Sequence, residues 1–281
     1  MVMILLLVFV GGFFSPGTQG MAVDPIRKKY DLVLIHGFNN RHQWGDRFLQ
    51  ELVRNWGSGR VYVIYANHSN RVWTRDLGGK TITFIGENDH WAGNDPIDEQ
   101  AQIVAKKIDL LQEKHGLSPV INIIAHSMGG VVAREVVYLR PHTVAGLVTL
   151  GTPHQGTPLA EEYEWLGMFV NGKEAIQNLK PAAMKTFNHT YPVAESPFYR
   201  NGHCYTIAGD ADHWGDRGWH GELAVGWTLL SLKYGVDNDG VVMEGQATVP
   251  GAIHLATFYQ YNHLELIQES EVARTAADAL L

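Results

Sequence analysis

Five short runs along the chain are apolar at nearly every position: residues 31–35 (DLVLI), 61–66 (VYVIYA), 121–125 (INIIA), 145–151 (AGLVTLG) and 204–209 (CYTIAG). A strand with one wet face alternates, whereas a strand covered on both faces does not, so these runs predict the middle of a parallel sheet. Between them the period changes. Ile97, Ala101, Val104, Ile108 and Leu111 recur at helical spacing after Asp95-Pro96 and before Gly116. That pattern predicts a helix capped by Asp95, with the proline at its first position and the glycine closing it. Residues 129–140 set Val132, Val136 and Leu139 on one stripe, and residues 271–281 do the same with Val272, Ala276 and Leu280. Strand and helix alternating in this way predict an α/β protein with a mostly parallel central sheet and helices on both faces.

Two stretches break the alternation. Residues 67–94 hold Trp73, His90, Trp91 and several glycines, and residues 155–200 exceed an ordinary strand-to-helix connection. The chain also opens unusually. Its first twenty residues carry no charge, and an apolar run extends from Val2 to Phe14, too short for a bilayer span but the length of a signal-peptide core. Cleavage after Ala22 would release residues 23–281 as a secreted or otherwise exported domain. No Lys or Arg precedes the run, so an N-terminal element packed on the domain, or a start at Met21, is the alternative.

Composition narrows the function. With 281 residues, 45% hydrophobic and 18% charged, the chain has material for one large α/β domain, which excludes wholesale disorder and fibrous architectures. A formal charge of -7 without a basic cluster gives no footprint for nucleic acid. Cys204 is the only cysteine, so neither an intrachain disulfide nor a multi-cysteine zinc site can form. No apolar run reaches the roughly 18 residues of an integral membrane span.

The chemistry concentrates at Ala125-His126-Ser127-Met128-Gly129-Gly130, where a predicted strand passes into a predicted helix. A serine on so tight a turn needs small residues two before and two after it, here Ala125 and Gly129. The turn would raise Oγ above the sheet and aim a helix N-terminus at it, favouring the oxyanion of a tetrahedral intermediate. Upstream, residues 31–35 end in His36-Gly37-Phe38-Asn39, where the Phe38 N–H, with that of Met128, would supply the oxyanion donors. His36 precedes the serine and is expected to support this loop. Downstream come Asp237-Asn238-Asp239-Gly240 and Tyr261-Asn262-His263-Leu264-Glu265. Ser127, Asp239 and His263 thus follow the order nucleophile, acid, base of a hydrolase triad. Asp237 and Asp210 are rival acids, and His126, His154 and His254 rival histidines, with His126 expected to pack and His154 to border the site.

The blocks LVLIHGF, IIAHSMGGVVAR, TLGTPHQGT, DNDGVV and NHLEL resemble, in order, the signatures of bacterial lipases of the α/β-hydrolase superfamily, above all the group whose nucleophile turn begins with alanine. The resemblance implies the α/β-hydrolase fold with a lid or cap insert at about 155–200, Ser127, Asp239 and His263 as triad, and Phe38 and Met128 as oxyanion donors. It further implies a serine carboxylic ester hydrolase, a triacylglycerol lipase forming an acyl-enzyme at a lipid–water interface without an organic cofactor. Esterases for short soluble esters share the blocks, and the 126–134 run also resembles deacylases of glycolipid anchors, so a lipid or thioester deacylase stands as an alternative. A non-catalytic binding protein on this scaffold would have lost a triad or oxyanion residue, and none is missing. Residues 165–170 (WLGMFV) would line an acyl pocket or form a buried cap, and Trp73, Trp91, Trp214 and Trp219 would edge the cleft or anchor loops.

Some thermophilic lipases of that group bind zinc through two histidines and two aspartates, and calcium near the catalytic histidine. By that resemblance Asp89, His90, Asp95, Asp210, Asp212, His213, Asp216 and His220 are zinc candidates, although their spacing does not match cleanly. Glu265 is the calcium candidate, with Glu269-Ser270 near the place of a further acidic ligand.

Overall fold

A computed structural model of the chain describes residues 28–40, 44–165, 172–211 and 221–281. The predicted leader, the apolar stretch at 166–170, Trp214, Trp219 and the metal candidates from Asp212 to His220 lie outside the described residues. Strand β1 (Asp31–Ile35) leads through a turn at Phe38–Asn40 to α1 (Asp46–Trp56). Strands β2 (Val61–Ile64), β3 (Val72–Asp76) and β4 (Thr81–Ile85) follow, then α2 (Ile97–Lys114), β5 (Ile121–His126), α3 (Met128–Leu139) and β6 (Val144–Leu150). Helices α4 (Leu159–Trp165), α5 (Lys173–Asn178) and α6 (Pro181–Thr190) precede β7 (His203–Asp210). Helix α7 (Gly221–Leu229), β8 (Ile253–Tyr259) and α8 (Ser270–Asp278) complete the order.

The strands form one eight-stranded sheet in the order β3-β4-β2-β1-β5-β6-β7-β8. Every neighbouring pair is parallel except β3 with β4. Strands β1, β2, β5 and β6 are buried along their whole length, as their unbroken apolar runs require. On one face α1 and α8 pack through Phe48, Leu52 and Trp56 against Val272, Ala273 and Ala276. On the other, α2 and α3 pack through Val104 and Ile108 with Val132 and Val136. Each large side chain buried in these layers is worth about 1.5–3 kcal/mol in transfer free energy.

Three expectations change in detail. Pro96, not Asp95, is the N-cap of α2, and its first turn is closed from a distance, Ile97 N–H donating to Asn178 Oδ1 of α5 at 3.1 Å. The stretch 67–94 contains the β3–β4 hairpin that extends one edge of the sheet. The long excursion at 155–200 is largely helical, carrying α4, α5 and α6, where the side chain of Ile176 and that of Met184 join the core.

Candidate active site

The centre of the sheet delivers Ser127. It sits between β5 and α3 with φ 53 and ψ -132, a conformation that costs a non-glycine residue about 1–3 kcal/mol and persists only where packing enforces it. The enforcement is visible. A Cβ on Gly129 would lie 2.2 Å from the His36 carbonyl oxygen, so only glycine lets the start of α3 press against the end of β1. Ser127 N–H donates to Leu150 O at 2.8 Å, and Ser127 O accepts from Gly130 N–H at 2.9 Å. The residue is 8% exposed, and among the described residues its Oγ has no hydrogen-bond partner.

Two backbone N–H groups border this turn. Met128 begins α3, so its N–H precedes the helix's own ladder. Phe38 begins the turn after β1, and Gly37 beside it is so close that a Cβ there would meet Ser127 Cβ at 2.7 Å and Oγ at 3.3 Å. His36 fixes this loop from beneath. Ala66 N–H donates to His36 Nε2 at 2.9 Å, which leaves Nδ1 as the nitrogen that donates to Gly37 O at 2.6 Å. Burial, with Lys107 close by, pushes the His36 imidazole down to about 4, so the neutral ring that can accept from Ala66 is the form present at neutral pH. Lys107 itself is buried and donates to Tyr65 O at 2.7 Å, and its ammonium is pushed down to about 8 by desolvation.

Asp239 and His263 meet from two other loops. Asp239 Oδ2 accepts from His263 Nδ1 at 2.7 Å, and Asp239 O accepts from His263 N–H at 2.9 Å. The other carboxylate oxygen, Oδ1, accepts from Val241 N–H at 2.9 Å and Val242 N–H at 2.8 Å. The carboxylate thus engages both its oxygens, and it holds the ring by Nδ1, so that Nε2 is the nitrogen turned away from it. Both residues are 5% exposed or less. Gly151, just past the Leu150 that binds Ser127, makes room for the pair. A Cβ there would lie 2.9 Å from Asp239 Oδ2 and 3.0 Å from His263 Nδ1.

The rivals fall elsewhere. His154 does not border the site as an open side chain; it is wholly buried, between Thr149 Oγ1 at 2.9 Å and an Arg134 N–H at 3.3 Å, and its pKa is driven far down by desolvation. His254 bonds Thr206 and Thr257 on β7 and β8. The acid that holds His263 is Asp239, not Asp237 or Asp210. Trp73 stacks on Phe84 at 4.2 Å on the β3–β4 hairpin, while Trp91 is 62% exposed. His126, expected only to pack, is buried with its ring 4.5 Å from that of His263 and its Nε2 2.9 Å from the His263 carbonyl.

Of the metal candidates, Asp95 alone falls in a cluster of metal-capable side chains among the described residues. Among the described residues the one group of three metal-capable side chains is His68, Asp95 and Glu99, at the surface, and it includes neither Glu265 nor Asp210. Glu265 bonds the backbone of its own loop. Asn262 Oδ1 accepts from the N–H groups of Leu264 and Glu265 at 3.0 and 3.1 Å, while Glu265 Oε2 accepts from Asn262 N–H at 2.8 Å. This reciprocal capping box shapes the loop that carries His263, and its Asn-x-x-Glu spacing is the sequence signal that would have revealed it.

A strand-turn-helix serine at the centre of a mostly parallel eight-stranded sheet, with Asp239 and His263 arriving after the later strands, is the arrangement of the α/β-hydrolase fold. Proteins named triacylglycerol lipases are among those the chain resembles in sequence. Residues 90–196 match the family described as PGAP1-like alpha/beta domain. The chain is 44% identical over 133 residues to a triacylglycerol lipase of Pseudarthrobacter phenanthrenivorans, covering 47% of this chain and 36% of that one. It is 28% identical over 158 residues to triacylglycerol lipase 2 of Saccharomyces cerevisiae, covering 52% and 44%. The chain therefore spans less than half the length of these relatives. In structure it resembles the mature form of a Bacillus licheniformis lipase, with a TM-score of 0.63 at 22% identity over 87% of this chain and 89% of that one. A metagenomic carboxyl esterase aligns with a TM-score of 0.54 at 19% identity, over 96% and 80%. Among the described residues no helix is long and apolar enough to cross a membrane.

Proposed function

We propose that this chain is a serine carboxylic ester hydrolase of the lipase type. The observation that carries the reading is the His263–Asp239 pair at 2.7 Å, held beside the turn that bears Ser127. Ser127 Oγ attacks the ester carbonyl while its proton passes to His263 Nε2. The N–H groups of Phe38 and Met128 take the charge of the oxyanion. The carbonyl then re-forms, the bond to the alkoxy oxygen breaks, and the imidazolium returns its proton to that oxygen, leaving an acyl-enzyme. Water, deprotonated by His263, repeats the sequence and frees the acid. Nothing in these steps calls for an organic cofactor. Asp239 keeps the imidazole in the tautomer that can receive the proton and stabilises its cation.

The similarity to proteins named triacylglycerol lipases supports lipid esters, rather than short soluble esters, as the substrates of this chain. Rates on esters from short to long acyl chains, including emulsified triglyceride, test this with the wild type beside Ser127→Ala. Activity on long chains, lost in Ser127→Ala, is the expected result; activity confined to short soluble esters overturns the lipase reading, and activity that survives Ser127→Ala overturns the serine mechanism. Export rests on the apolar leader, and N-terminal sequencing of protein from its source would find it starting after Ala22.

A further inference from the structure

The loop that carries His263 comes from an edge strand of the sheet, not from a neighbour of the strand that bears Ser127. That loop follows β8, whereas Ser127 follows β5, and β6 and β7 lie between them in the sheet. A base placed only by its own loop would inherit every small displacement of three strand pairings, and a misplacement of about 1 Å can cost about 100-fold in rate. Asp239 does not remove that dependence, because it too lies between β7 and β8 and would move with His263.

One contact bypasses the intervening strands. His126 is the last residue of β5 and is joined to Ser127 by a single peptide bond. Its Nε2 lies 2.9 Å from the His263 carbonyl oxygen, and since a carbonyl can only accept, that nitrogen carries the hydrogen. The two rings lie 4.5 Å apart at 45°, and Trp44 meets the His126 ring edge-on at 6.4 Å. His126 and His263 are 6% and 5% exposed, so no water competes freely for this bond. His263 is therefore held at its ring and N–H by Asp239 and at its carbonyl by the residue beside the nucleophile.

We propose that His126 is a positioning residue that ties the nucleophile turn directly to the loop of the base and so sets the Ser127–His263 separation. The inference rests on the ester-hydrolase reading for its kinetic consequence but not for its structural one. His126→Leu keeps the bulk and removes the donor, while His126→Gln returns an N–H at similar reach. The first lowers kcat by about 10- to 100-fold with KM within about twofold, and the second recovers most of that loss. Independently of any substrate, the low-field proton resonance of the His263 Nδ1–H···Asp239 bond is sharp in the wild type and His126→Gln, and broadened by exchange in His126→Leu. Should His126→Leu fail to fold, His126→Asn, whose shorter stem leaves its N–H short of the carbonyl, takes its place with the same expectations. Wild-type kcat and an unchanged resonance in the Leu variant overturn the proposal, as does a Gln variant impaired as deeply as Leu. A wild type that hydrolyses no ester but shows the expected resonance pattern overturns the ester-hydrolase reading and leaves the positioning role standing.

Discussion

Acid should loosen the loop after β1 before it harms the rest of the molecule, and His36 is the reason. The imidazole accepts from Ala66 N–H and donates to Gly37 O, an arrangement only the neutral ring can make. Protonation would set an N–H against the Ala66 N–H inside a site with 3% exposure. Its folded pKa is pushed down from 6.5 to about 4, first by burial and then by Lys107, against the opposing pull of Gly37 O and Asp89. Between those two values the unfolded chain binds a proton that the folded chain refuses, so stability is full above pH 6.5 and falls as pH drops toward 4. A difference of that size corresponds to about 3 kcal/mol. Other groups titrate in the same range, so the assay is a difference. Denaturant unfolding of the wild type and of His36→Gln, whose side chain can replace both hydrogen bonds without titrating, is followed from pH 7 to pH 4. The advantage of the wild type should shrink by up to about 3 kcal/mol as the pH falls. Parallel curves for the two proteins would refute the claim that His36 is held neutral by its surroundings.

Three further outcomes follow from particular contacts. Gly129→Ala drives a Cβ into the His36 carbonyl and should lower kcat on the order of 100-fold by displacing the start of α3 from the loop after β1, measured on whichever ester the wild type turns over best. Asn262→Ala breaks the capping box beneath His263 and should cost about 1 kcal/mol in thermal or denaturant unfolding, a loss that added calcium does not restore. Lys107→Met removes an ammonium whose pKa is pushed down to about 8. Wild-type stability should rise between about pH 8 and the ordinary lysine value relative to this variant, because the unfolded chain alone keeps its proton there.

The parallel core was legible because burial on both faces leaves an unbroken apolar run, and 31–35 and 121–125 are such runs. The tight turn at Ser127 was legible because its steric demands fall on near neighbours, Ala125 and Gly129. Strands β3 and β4 were overlooked because an edge hairpin is only half buried, with Trp73 and Arg75 on strands of mixed exposure. A signal existed in Gly78-Gly79, whose φ values of 64 and 83 suit a tight hairpin turn closed by Leu77 N–H to Lys80 O at 2.8 Å. Helix α1 also carried a readable stripe in Phe48, Leu49, Leu52, Val53 and Trp56. The partnership of His126 with His263 had no such signal, since 137 positions separate the two and only the closed sheet brings them together.

The central claim is that Ser127 becomes a nucleophile because His263 and Asp239 stand ready to take its proton. Peptide mapping of the folded protein after treatment with a fluorophosphonate measures this directly. A single adduct on Ser127, formed orders of magnitude more slowly in Asp239→Asn, is the predicted result. No adduct, or one that forms equally fast without the carboxylate, would contradict the account.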